Sequence, residues 1–144
     1  MRPAVPVLLA ALLTGCGQPA PLFVDNAYVR LPAVEGRPGV AYFTVHGGKD
    51  AVSLVSVTSP VIVKTELHES MSAGGVASMA PVKDVPVPAK ATVRFMPGGK
   101  HAMLFDINRS VRRGGTVTLV FTFSDNERLE VDAPVIAAGD PPPK

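Results

Sequence analysis

Thr116-Val-Thr-Leu-Val-Phe-Thr-Phe123 is the cleanest alternating run in the chain. Alternation of polar and apolar residues has the period of a half-buried β-strand. A second run, residues 129–135, follows after Ser124-Asp125-Asn126, so the two read as a hairpin across a polar turn. Working outward, the same period recurs in short runs at 25–31, 40–46, 51–58, 61–66, 76–82, 92–96 and 101–107. Gly47-Gly48, Ser59-Pro60, Gly74-Gly75 and Pro97-Gly98-Gly99-Lys100 punctuate them. About eight short strands with frequent turn signals predict an all-β sandwich or barrel. Pro86 and Pro88 restrict their segment to an edge strand or loop. Residues 108–113 are the one stretch with the makings of a helical turn.

Length and composition fit one domain: 144 residues, 47% apolar, 18% charged, with a formal net charge of +2. That charge is too small and too evenly spread for a nucleic-acid surface. The first residues are expected to be removed as a leader. Met1-Arg2 begins it, an apolar run from Ala4 to Leu13 follows, and Leu13-Thr14-Gly15-Cys16 closes it. This ending resembles the lipobox of bacterial lipoproteins, in which the cysteine is diacylated and becomes the mature N-terminus. The resemblance implies an extracytoplasmic protein anchored to a bacterial membrane through Cys16, since two acyl chains hold where one is marginal. The expected layout is a signal peptide at 1–15, the lipidated cysteine and a tether at 16–22, the domain at 23–136, and a disordered tail at 137–144.

Cys16 is the sole cysteine, so the domain carries no thiol for disulfides, thiolate metal sites or redox exchange. Its soft and borderline donors are instead His46, His68 and His101 with Met71, Met79, Met96 and Met103. His101 and Met103 are two apart on one strand and leave from the same face. Imidazole with thioether selects soft or borderline metals, and thioether in particular favours Cu(I). Zinc would take thiolate or carboxylate, and calcium or magnesium would take clustered oxygens.

His68, Met79, His101 and Met103 follow one another at H-x10-M-x21-H-x-M. This spacing resembles the signature of the PCuAC family of periplasmic copper chaperones. Neighbouring segments are similar to that family too, notably Glu66-Leu67-His68-Glu69 and Pro97-Gly98-Gly99-Lys100-His101-Ala102-Met103-Leu104. The resemblance implies a cupredoxin-like β-sandwich holding Cu(I) on these four side chains. It further implies delivery to a copper-accepting protein, such as the CuA centre of cytochrome c oxidase subunit II or an assembly factor. The chain is expected to act as a monomer.

Other donors are read separately. Met71 lies in the expected loop after His68, where it would be an accessory ligand. Met96 is read as core or rim packing, and His46 as a turn or surface histidine. Glu69 is a candidate acceptor for an imidazole, or a solvated carboxylate. Three alternatives to a chaperone stand beside it: a surface copper buffer without an acceptor, a metal-free structural sandwich, and an enzyme. Enzymatic function is not expected. Blue-copper electron transfer needs a thiolate, dithiol chemistry needs a cysteine pair, and no Gly-x-Ser-x-Gly elbow is present.

Overall fold

In the computed structural model, which describes residues 17–144, alternation becomes ten strands rather than eight. Residues 1–16, where the leader and the lipidated Cys16 are expected, lie outside the described residues. The strands are β1 (Phe23–Arg30), β2 (Gly39–His46), β3 (Val52–Thr58), β4 (Ile62–Ala73), β5 (Val76–Pro81), β6 (Val85–Val87), β7 (Thr92–Phe95), β8 (Lys100–Ile107), β9 (Thr116–Phe123) and β10 (Arg128–Ile136). They hydrogen-bond in the order β5-β4-β8-β7-β2-β1-β10-β9-β3-β6. One layer runs from β5 to β1 and the other from β10 to β6. They are joined by the parallel pairing of Val29 with Val135 and Arg30 with Ile136.

The β9–β10 hairpin forms where expected, Phe121 opposite Leu129 and Leu119 opposite Val131. Its turn uses Asn126 at φ 69°, a left-handed conformation that asparagine tolerates better than most residues. Val117, Leu119, Phe121 and Phe123 all point inward and are buried. Phe43 of β2 stacks on Phe95 at 4.2 Å between centroids and meets Phe121 of the other layer edge-on at 4.7 Å. This aromatic trio ties the two layers together through apolar burial and favourable ring geometry.

Three departures from expectation have local causes. The strand expected at 61–66 continues to Ala73, because its far half pairs with β5 across a Gly74-Gly75 turn with both φ values positive. Glycine enters both positive-φ positions of such a two-residue turn without the steric cost of a side chain. Met71, Ser72 and Ala73 are all exposed, so burial leaves no pattern on the extension, which hides it from a periodicity reading. Residues 108–113 form turns and no helix: Val111 N–H donates to Asn108 O at 3.0 Å, and Gly115 N–H to Arg112 O at 3.0 Å. The tail, expected to be disordered from 137, begins with a fixed turn. Arg30 donates to the carbonyls of Ala137, Ala138 and Asp140, while Arg113 pairs with the Asp140 carboxylate. Polar contacts hold this segment, which is why it shows no apolar pattern. Val85–Val87 is an edge strand, as its prolines require.

Phe43→Ala is expected to lower unfolding stability by about 3–5 kcal/mol, read as a lower urea midpoint at unchanged slope. Val63→Ala, at a position 80% exposed, should stay within about 0.5 kcal/mol of the parent.

Candidate metal centre

The site is built on the three-stranded edge β5-β4-β8. His68 and His101 are direct partners across the antiparallel β4–β8 ladder, and Glu66 is opposite Met103. Met79 on β5 is opposite Ser70 on β4. Paired residues share a face of the sheet, and positions two apart on a strand return to it. Glu66, His68, Met79, His101 and Met103 therefore emerge on one face. The intervening Leu67, Ala102 and Leu104 enter the core on the other. The two imidazole centroids are 5.8 Å apart, tilted by 34°. Met79 and Met103 are diagonal neighbours of His68, roughly 7–8 Å away between backbones, a span that long side chains cross.

A turn fixes the first imidazole. Met96-Pro97-Gly98-Gly99 has proline second and glycine third at φ 82°, closed by Gly99 N–H donating to Met96 O at 3.0 Å. These are the requirements of a type II turn. It aims the Gly99 carbonyl back at the strands, where it accepts from Ser70 N–H at 3.1 Å and lies 2.9 Å from His101 Nδ1. A carbonyl only accepts, so His101 carries its proton on Nδ1 and presents the lone pair on Nε2. His101 is 5% exposed, one of the few polar residues so buried.

A carboxylate fixes the second. Glu66 Oε2 lies 3.0 Å from His68 Nε2. Hydrogen bonds from Lys64 and then from His68 hold the Glu66 carboxyl below its ordinary pKa, so it is an ionised acceptor. His68 Nε2 is then the donor and Nδ1 the bare lone pair. That Nδ1 is buried and has no hydrogen-bond partner. A buried lone pair without a partner is costly, and a bound cation is one of the few things that satisfies it.

The face thus offers His68 Nδ1, His101 Nε2 and the sulfurs of Met79 and Met103. The pairing of each imidazole with a backbone or carboxylate acceptor is the usual way a ligating histidine is oriented. Among the described residues, no three His, Cys, Asp or Glu side chains gather closely enough to hold a metal ion without help from methionine. The donor set suits a soft monovalent ion such as Cu(I). Met79 is 58% exposed whereas His101 is enclosed, so the centre opens towards solvent at its β5 side.

The remaining donors are placed elsewhere or differently. Met71 is on β4, not in a loop, and pairs with Ser78, which puts it on the face opposite His68. It does not join the other four. His46 is held by Asp25 at 2.9 Å and stacked on Phe23 at 4.2 Å, near the far end of β2. Glu69 pairs with Lys100 rather than with an imidazole. Glu66, two residues before His68, takes that role. The signal for it was present in Glu-Leu-His, since strand period puts the first and third residues together.

The LpqE-like family model, whose description is of a lipoprotein, matches residues 22–135. The chain belongs to the LpqE-like family. Two relatives of this LpqE-like chain were found by sequence. One is Lxx21020 of Leifsonia xyli subsp. xyli (strain CTCB07), named as a lipoprotein, 29% identical over 61% of this chain and 54% of its own length. The other is RP573 of Rickettsia prowazekii (strain Madrid E), 32% identical over 65% of this chain and 53% of its own length. The match spans about half the length of each. Among solved structures, the fold is similar to the copper-bound PCuAC domain from PmoF2, with TM-score 0.66 and 19% identity over 83% of this chain and 97% of that domain. It is also similar to the solution structure of CuI-DR1885 from Deinococcus radiodurans, with TM-score 0.70 and 27% identity over 86% and 84%. The architecture of the LpqE-like chain is the cupredoxin-like β fold of PCuAC domains.

The tautomers are directly checkable. Long-range proton–nitrogen NMR of the metal-free protein should show His68 protonated at Nε2 and His101 at Nδ1. The opposite tautomer at either ring would refute the assignment of that ligand atom.

Proposed function

We propose that this protein is an extracytoplasmic Cu(I) carrier that is tethered by a lipidated Cys16, binds one ion, and passes it to an acceptor protein. The observation that carries the reading is the convergence on one sheet face of His68, Met79, His101 and Met103, with the buried His68 Nδ1 unpartnered. The Cu(I)-bound state of DR1885 supports the choice of ion. The lipoprotein description of the family and of Lxx21020 supports the anchor.

In this reading the chain does three things. Gly99 O and Glu66 hold the rings so that both lone pairs are ready before the ion arrives, which lowers the ordering cost of binding. Met79 and Met103 supply neutral sulfur, which does not protonate, so acid competes only at the imidazoles. Exposure of Met79 lets an incoming donor from the acceptor reach the ion before its last bond to this protein breaks. The reading is of a binding protein without turnover. An acceptor such as the CuA centre of cytochrome c oxidase fits a soft-ion donor outside the cytoplasm.

Anaerobic Cu(I) titration against a chromogenic chelator is expected to give one ion per chain. His68→Ala, His101→Ala and Met103→Ala should each weaken binding by at least about tenfold. A wild-type protein that takes no copper from the chelator is not a copper carrier.

Delivery separates this reading from a surface buffer. Cells lacking the protein should lose cytochrome oxidase activity at limiting copper and regain it when copper is added. Unchanged activity at limiting copper would favour the buffer.

A further inference from the structure

Met96 was expected to pack in the core or at its rim, yet it is 52% exposed and stands outside the core. Its place in the sheet gives it another use. β7 and β8 both pair with β2, one after the other, and the Met96–Gly99 turn interrupts them. The β2–β7 ladder ends at Phe43 opposite Phe95, and the β2–β8 ladder ends at Ala41 opposite Ala102. Between them β7 pairs in parallel with β8, Phe95 beside Lys100, so the next residue on each strand is Met96 and His101. The two residues therefore occupy one row of the sheet. Phe95 points into the core, so Met96, next along, points to the face that carries the imidazoles. Its side chain runs along the turn, with Cγ 3.9 Å from where a Cβ on Gly99 would sit. Gly99 is the residue whose carbonyl holds His101.

The imidazole pair is thus flanked by two half-exposed thioethers, Met79 on the β5 side and Met96 on the turn side. We propose that Met96 is a fifth, exchangeable donor to Cu(I) that substitutes for Met79 when the β5 edge is displaced or engaged by an acceptor. The proposal rests on the Cu(I)-carrier reading above. Chemically the exchange is balanced: one copper–sulfur bond forms, one breaks, and the ion remains Cu(I) with no proton moved. Both ligands are neutral thioethers, and a closed-shell ion imposes no geometry of its own, so the two states differ little in energy. Met71 is equally exposed but faces the other way, which makes it an internal control.

The test is X-ray absorption at the copper edge on the Cu(I)-loaded full-length protein and its variants. Met79→Leu is expected to keep two copper–sulfur contacts, from Met103 and Met96. Met79→Leu with Met96→Leu should keep one, and should bind Cu(I) about tenfold more weakly than Met79→Leu alone. Met79→Leu with Met71→Leu should match Met79→Leu in both respects. A single sulfur contact in Met79→Leu, with no further loss when Met96 is replaced, would overturn the proposal while leaving the carrier reading intact. Failure of the wild-type protein to load with Cu(I) would overturn both. These side chains are exposed, so circular dichroism should show every variant folded as the parent.

Discussion

Antiparallel pairing of β4 with β8 sets His68 opposite His101, and nearly everything about the metal centre depends on that register. A slip of one residue would send every side chain on the shifted strand to the other face. The imidazoles would part, and Leu67 or Ala102 would be pushed out of the core. Burial of those two residues, with Leu104 beside them, therefore locks the register from the side away from the metal. The β4–β5 hairpin extends the same frame. Its two-glycine turn places Met79 opposite Ser70, and so on the imidazole face. The spacing of ten residues between His68 and Met79 is the length of chain that runs from one strand around this turn and back.

Register brings the groups together, but hydrogen bonds decide which atoms the face presents. Gly99 O fixes the His101 proton on Nδ1, and Glu66 fixes that of His68 on Nε2. The two rings thus present different nitrogens, one from each side of the ladder. The Pro97-Gly98 pair matters for the same reason, since a type II turn there is what points the Gly99 carbonyl at the ring. Lys64 contributes at one remove by keeping Glu66 ionised.

Much of this was legible in the sequence, unevenly. The β9–β10 hairpin could be read from alternation because one face of each strand meets water and the other the core. His101 and Met103 could be placed on one face by strand period alone. The continuation of β4 through Met71 could not, because Ser70 and Ser72 alternate with residues that are themselves exposed, so burial leaves no pattern there. Met71 was consequently expected in a loop near the metal, and the pairing sends it to the opposite face. The turn at 137–140 escaped notice for a related reason. It is held by Arg30 and Arg113 through polar contacts with residues more than twenty positions away. The placing of Met96 beside His101 follows from the parallel pairing of Phe95 with Lys100, which local sequence does not encode.

The four candidate ligands are absent from the buried apolar cluster that holds the two layers together. A small zinc domain folds around its ion and comes apart without it. Here the core that joins the layers is built without the candidate ligands, so the scaffold does not need an ion in order to fold. A carrier with that property survives each round of unloading and is ready for the next ion without refolding.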